Sequence, residues 1–417
     1  MPAKRPRPDT SSDSSAAAAP AAAAASAPPH EDPPAPSTGS ALRHVDLDHL
    51  PTPSAGGRKH VSVLRREALD DALRLLASGW PDGAVGGLTL SPHQLSFKWK
   101  AKEARLLEGA LRGVADTLAS LDLRPGGANC VMPPSVAATA VEHCRALHTL
   151  RLDEAPCAAE TLRAMRGLTR LRELSLGGVA LSLCAPLDAT ALASLAGCAE
   201  LRLLHLTSTS IGDETLEAIA RGCSRLEDVS LCSSESLTHR GVAALARGCP
   251  SLRRLDLRNC SLVGPEGVRA LAACPNLSHL NLQRVRGATS SLHALGASSA
   301  AMRQLSLSLC FLLDDDLHAL QSLRQLDDLD LNAANGFEPR ALEAALLELP
   351  LLRRLSLNSI RFPAPQLDGV VRALAERGST HLEMLDLNNS SVTAAAVAAV
   401  QRHRPTCQVT TVNCDNV

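Results

Sequence analysis

The side chains able to attack a substrate or hold a metal in this 417-residue sequence are chiefly 13 cysteines and 14 histidines. A zinc site needs clustered thiolates and imidazoles, most recognisably as Cys-x-x-Cys pairs, and no such pair occurs. His143 beside Cys144 suggests a Cys/His nucleophile, but adjacent residues on one element point apart, so neither can activate the other. The phosphate loop Gly-x-x-x-x-Gly-Lys is missing, as are His-Glu-x-x-His and Gly-x-Ser-x-Gly. The sequence therefore offers no catalytic residue, no metal ligand and no cofactor-binding residue, and a non-enzymatic protein is expected. What the cysteines do show is rhythm. Cys144, Cys198, Cys223, Cys249 and Cys274 each stand three residues ahead of a leucine, so the elements that set this spacing come first.

Composition narrows the classes of function. Lys and Arg number 42 against 43 Asp and Glu, a net charge of -1, so no overall field selects a polyanion. Two Trp, four Phe and no Tyr leave few faces on which bases could stack. Nucleic acid is thus not an expected partner. Hydrophobic residues make up 45% of the chain, enough for a large core that must be aliphatic. A chain of this length suits two domains or a repeat array better than one compact globule. Lys4, Arg5 and Arg7 precede an alanine tract, but Asp9 and Asp13 intervene and Pro20 interrupts it, which is unlike a secretory signal. No run of 18 apolar residues exists, so no membrane association is expected. The expected setting is reducing, cytoplasmic or nuclear, with free thiols.

Residues 1–60 are rich in Ala, Pro and Ser and lack a periodic apolar face, so they are expected to be disordered. Within them, Lys4, Arg5 and Arg7 form a basic cluster that reads either as a nuclear import signal or as a solvated chain start. Ser11, Ser12 and Ser14 around Asp13 are candidate phosphate acceptors. Residues 61–116 are expected to be helical. Leu69, Leu73 and Leu76 recur at helical spacing, Gly79 and Pro81 stop that run, and Leu106, Leu107, Leu111 and Val114 suggest a second helix. Trp80, Phe97 and Trp99 fall in this stretch, which reads as a cap over the first repeat or as a docking segment for another protein.

From residue 117 onward one phrase recurs: Leu, two residues, Leu, one residue, Leu. Copies start at Leu147, Leu171, Leu201, Leu252, Leu277, Leu326, Leu352 and Leu382, and further ones at Leu118, Leu226 (with Val229) and Met302. These eleven starts are 24 to 30 residues apart, about 26 on average. Within a copy, Leu255 and Leu257 flank Asp256, the alternation of a short strand with its leucines inward. About ten residues later comes a helical pattern, such as Leu216, Ile219 and Ala220, or Val242, Leu245 and Ala246. One strand and one helix cannot bury their own apolar sides. Stacking many copies buries a continuous core and makes the strands parallel. Helices are wider than strands, so the stack must curve into a horseshoe with strands on the concave side and helices on the convex side.

The phrase resembles the leucine-rich repeat family, specifically its cysteine-containing subclass, over about 300 of the 417 residues. The fullest matches are Cys249-Pro250-Ser251-Leu252 and Cys274-Pro275-Asn276-Leu277. Cys260 and Cys310 fit the subclass's second small-residue slot, whereas Ala334, Ile360 and Ser390 depart from it. The fold class implied is an α/β leucine-rich repeat solenoid of about eleven repeats with a small helical N-terminal cap.

The outward strand positions are the candidate protein-binding residues: Arg254, Asp256, Arg258, His279, Asn281, Gln283, Gln304, Asp328, Asp330, Asn332, Arg354 and Asn358. Arg254 and Arg258 are expected to make one end cationic, and Asp328 and Asp330 to form an acidic patch. Such a mixed polar surface suits a protein partner. The subclass is characteristic of F-box proteins, which select substrates for cullin ubiquitin ligases. The resemblance implies such a role, with a ligase adaptor engaged through residues 61–116, although Leu50-Pro51 is not followed by the helical run of an F-box. The only lysines are Lys4, Lys59, Lys98, Lys100 and Lys102; a lysine-free array suits work beside a ubiquitin ligase, and equally reflects drift toward arginine. A scaffold or regulator without a ubiquitin link, and a bacterial effector delivered into a host, are the other readings. A monomer is expected.

Overall fold

The computed structural model describes residues 43–46, 71–74, 76–78, 85–89, 101–123, 133–153, 157–177, 188–207, 211–287, 291–298 and 301–414. The import cluster at Lys4, Arg5 and Arg7, the candidate phosphate acceptors, and Trp80, Phe97 and Trp99 lie outside them.

Short strands followed by helices recur along the chain, and among the described residues the strands form one parallel sheet of fourteen members in sequence order. Each of the eleven leucine phrases supplies one strand, from β3 (Ser120–Asp122) and β4 (Thr149–Arg151) through β8 (Arg254–Asp256) and β9 (His279–Asn281) to β13 (Met384–Asp386). The register never slips along this run. The middle leucine of each phrase sits opposite that of the next, as Leu255 does opposite Leu280, Leu280 opposite Leu305, and Leu305 opposite Leu329. Those leucines form a column with essentially no exposure, and the first and third leucines of each phrase flank it. The helical stripes close the other side: Leu216, Ile219, Val242 and Leu245 are fully buried. The core is therefore one continuous aliphatic layer between strands and helices, of the kind that only stacked repeats can build. The architecture is an α/β leucine-rich repeat solenoid whose sheet stays open, with the strands Arg43–Asp46 and Gln408–Thr410 as its edges among the described residues.

The sheet extends beyond the phrases in both directions. Upstream, β1 (Arg43–Asp46) and β2 (Val85–Thr89) join it, the first within a stretch expected to be disordered and the second within one expected to be helical. Val45 pairs with Leu88, which pairs with Leu121. Both strands carry the phrase with valine in one slot: Leu42-x-x-Val45-x-Leu47 and Val85-x-x-Leu88-x-Leu90. The expected helix forms over Ala101–Gly113 and buries Leu107 and Leu111. It packs on the next helix, Pro134–His143, as the later helices pack on one another. The described residues 85–89 and 101–123 thus give the same strand–helix–strand order as the later coils. Downstream, β14 (Gln408–Thr410) pairs with β13 and is the last strand among the described residues.

Two devices lock neighbouring coils together. The first ties helix starts. In the first turn of the helix Asp213–Gly222, Asp213 accepts hydrogen bonds from the Thr238 and Gly241 N–H groups and from the Thr238 hydroxyl, at the start of the helix His239–Gly248. Asp368 does the same for Thr393 ahead of the helix Ala394–His403, and Asp314 accepts from the Glu338 N–H ahead of Pro339–Leu347. These acceptors satisfy N–H groups that a helix start leaves without intrahelical partners. The second device is a turn at the end of each strand. The residue seven after the first phrase residue adopts a left-handed backbone in seven coils, at Ser233, Asn259, Arg284, Leu309, Ala333, Ser359 and Asn389, and Asn413 does so at the matching place after β14. Asparagine tolerates that conformation well, whereas most other side chains raise its cost.

Candidate protein-binding face

Each three-residue strand buries its middle side chain and turns the two flanking ones away from the core. This places Arg254 and Asp256, His279 and Asn281, Gln304 on β10 (Gln304–Ser306), Asp328 and Asp330 on β11 (Asp328–Asp330), and Arg354 on β12 (Arg354–Ser356) in two rows across one face. Arg258, Gln283, Asn332 and Asn358 continue the face two residues beyond their strands. Strands lie about 4.8 Å apart and packed helices about 8–10 Å, so the strand face is the inner side of the curve.

The charges on this face are arranged differently from expectation. Arg254 reaches back one coil to Asp228 at 3.8 Å, Arg354 to Asp328 at 2.9 Å, and Arg258 pairs with Asp256 of its own coil at 2.9 Å. Asp330 accepts from the Ser306 hydroxyl at 2.8 Å and the Asn332 N–H at 2.9 Å. The cationic end and the acidic patch are thus largely consumed by rungs between coils. The cause is the register itself, which sets residues one repeat apart side by side. Burial pushes the Asp328 carboxyl up from its ordinary pKa despite the Arg354 guanidinium. Burial, then the nearby Arg254 charge, push the His279 imidazole down, so it presents a neutral ring at pH 7. Each of these exposed or half-exposed pairs is worth at most about 1 kcal/mol.

The amides are left available. Among the described residues the side chains of Gln283, Gln304 and Asn332 have no hydrogen-bond partner, and Asn281 uses only its Oδ1, toward the Gln283 N–H at 3.0 Å. Four uncommitted or half-committed amides therefore cluster across β9–β11 between neutralised charges. Asn358 is more engaged, with its Nδ2 3.4 Å from Asp386 and its Oδ1 accepting from Ser359 and Asn389.

The cysteines have a structural task. Their thiols point at backbone carbonyls of the preceding coil: Cys198 at Met165, Cys223 at Leu195, Cys249 at Cys223, Cys274 at Ala246, and Cys144 at Leu111, over 3.2–3.9 Å. In the second slot, Cys260 bonds Leu231, Cys310 bonds Leu282 and Cys414 bonds Leu387. Ser390 does the same for Leu357 at 2.7 Å, so this departure from the cysteine pattern keeps the donor and changes only the atom. Burial pushes the thiols of Cys144, Cys223, Cys249 and Cys260 up to about 12, and those of Cys198, Cys274 and Cys310 to about 11. Burial thus keeps Cys144 as a thiol at neutral pH, and the His143 Nδ1 lies 3.1 Å from the Thr139 carbonyl on its own helix. Among the described residues no group of three or more His, Cys, Asp and Glu could hold a metal ion. A thiol with a pKa near 11 is about one part in a thousand thiolate at about pH 8. Iodoacetamide at that pH is therefore expected to modify half-buried Cys232 and Cys414 ahead of these seven thiols, which it spares until denaturant is added. Peptide mass mapping reads the order, and early labelling of Cys223 or Cys249 would contradict it.

Comparison with known families agrees with the architecture. A family profile described as Leucine Rich repeat matches residues 248–272, the coil with the fullest cysteine phrase. No curated protein matches the sequence. Among solved structures, an internalin from Listeria monocytogenes is similar with 14% identity and a TM-score of 0.40, covering 62% of this chain and 83% of its own. Rad7 from yeast, solved in complex with Elc1, is similar with 15% identity and a TM-score of 0.43, covering 78% of each chain. The described residues have the fold of a leucine-rich repeat solenoid, and the family profile falls on one coil of it. No helix among the described residues is long and apolar enough to cross a membrane.

Proposed function

We propose that this protein is a non-enzymatic recognition module that binds a protein partner on the strand face, as a substrate-recognition component, or a relative of one, in a cullin-type ubiquitin ligase. The observation that carries the first part is the group of amides at Asn281, Gln283, Gln304 and Asn332 beside internally paired charges. A surface of that kind selects a partner by hydrogen bonds to peptide and polar groups, with little demand for opposite charge. Two sequence features favour the ligase setting. The cysteine phrase resembles that of ligase substrate receptors, and no lysine occurs after Lys102, so the coils from Leu118 onward offer no side-chain amine for ubiquitin. The eleven described cysteines are all free, which favours a reducing compartment, cytoplasm or nucleus.

The test uses the full chain. Removing residues 1–116 would delete two strands and the helix that packs on Pro134–His143, and so would confuse folding with binding. Wild type and the double variant Gln304→Arg, Asn332→Arg are used to capture partners from native extract, with identification by mass spectrometry. The variant is expected to melt like wild type, to lose one partner by about tenfold or more, and to keep a cullin adaptor that both recover. Equal recovery of every partner by both proteins would overturn the face assignment. A strand-face partner without any adaptor would leave a scaffold with no ubiquitin link.

A further inference from the structure

The loops that follow the strands carry a second surface, separate from the strand face and independent of the function proposed for it. At three successive coils these loops form an open groove of about 450 Å³, lined by Ser261, Arg284, Arg286, Leu309 and Phe311 among others. Phe311 is 64% exposed, in a chain with only four phenylalanines. Its ring lies across Gly336, where an added Cβ would come within 2.8 Å of it, and its backbone bridges to Asn335, so the ring is held in place. Leu313 beside it is 52% exposed, and Leu262 one coil pair away is 57% exposed.

Leu309 is the more telling residue. It occupies the left-handed position at φ 58°, where five of the other seven matching positions carry Asn or Ser, and it remains 38% exposed. A leucine there costs about 1–2 kcal/mol of backbone strain and gains little burial in return. Arg284, one coil earlier, holds the same strained position and is exposed. Neither Arg284 nor Arg286 forms an ion pair among the described residues, whereas Arg254, Arg258, Arg303 and Arg354 all do. No carboxylate lines the groove. Local rules of stability are thus broken in favour of an apolar shelf beside two free cations.

We propose that this groove docks a short segment of a partner protein in which acidic side chains flank one large apolar side chain. The apolar side chain packs against Phe311 and Leu309, and the carboxylates meet the Arg284 and Arg286 guanidinium groups, whose planar forks suit bidentate pairing.

A random peptide library of about twelve residues displayed on phage, selected on the full-length protein, tests this. The most enriched peptide is then synthesised with a fluorescein label and titrated by anisotropy. The expected consensus places Asp or Glu around a Leu or Phe. Phe311→Ser and the pair Arg284→Glu, Arg286→Glu are each expected to weaken binding about tenfold or more. Leu309→Asn is expected to weaken it as well, while the melting temperature holds or rises, because asparagine suits the left-handed backbone. That variant separates lost docking from lost folding. Gln304→Arg with Asn332→Arg should bind the peptide like wild type, which separates this groove from the strand face. Failure to recover an acidic–apolar consensus, or peptide binding that ignores these rim substitutions, overturns the proposal. So does self-association in sedimentation that Phe311→Ser abolishes, since a second copy would then cover the groove.

Discussion

Asp213→Ala is expected to destabilise the array by about 2–4 kcal/mol, with the damage concentrated in two adjacent helices. Asp213 is 7% exposed and receives the Thr238 N–H at 2.9 Å, the Gly241 N–H at 3.0 Å and the Thr238 hydroxyl at 2.6 Å. Alanine leaves the two N–H groups at the next helix start without an acceptor. Because coils touch only their neighbours, amide hydrogen exchange should quicken in Asp213–Gly222 and His239–Gly248 and stay near wild type beyond residue 330. The effect carries a pH signature. Burial pushes this carboxyl up, but the hydrogen bonds from Thr238 and Gly241 outweigh it and hold the pKa below the ordinary value. A depressed carboxylate contributes its full stability above the unfolded pKa of about 3.9 and loses it as pH falls through the folded one. The gap between wild type and variant should therefore be constant near neutrality and shrink only below about pH 4. A gap that already narrows at pH 6 would mean that the carboxylate is not the group that matters.

Gly222→Val should cost about 3 kcal/mol or more, by forcing two coils apart. A Cβ at Gly222 would lie 2.1 Å from the Ala196 carbonyl oxygen and 2.6 Å from its Cα. Both are backbone atoms of the preceding coil and cannot rotate away. The contact recurs one coil later, where a Cβ at Gly248 would lie 2.6 Å from the Ala220 oxygen. Gly369 provides the contrast. It sits inside the helix Ala364–Arg377 with nothing within 4 Å of a Cβ, so Gly369→Ala should add about 0.5–1 kcal/mol through helix propensity. Urea denaturation of the three proteins reads both signs together. A valine at 222 that leaves stability unchanged would show that the coils are not packed this closely.

The leucine spacing makes β3 to β13 legible in the sequence, because a buried column tolerates few residue types and a period of about 26 is hard to mimic. The same logic explains what escapes it. In β1 and β2 valine replaces leucine at Val45 and Val85, and the intervals to the next phrase are longer, so the period is lost even though the pleat is not. The outward rows follow from alternation alone, but their charge state does not. Whether Arg254 is open or spent depends on Asp228, which becomes its neighbour only once the register is fixed. The loop groove is illegible for a related reason. Leu309 and Phe311 look like ordinary apolar residues until the backbone is known to be left-handed at Leu309 and the ring at Phe311 is seen to face outward. A phenylalanine in an aromatic-poor chain, close to a leucine where other copies carry asparagine, is the one signal the sequence holds. The helix ties at Asp213 and Asp368 hide in the same way, since their partners lie a full repeat downstream.

The unbroken lateral register has a mechanical consequence. Tension applied along β3 to β13 crosses every inter-coil junction in series, so no junction can relieve another. The array should therefore behave as an elastic ribbon whose strength is that of its weakest junction, and a carboxylate such as Asp213 or Asp368 then acts as a rivet at one such seam.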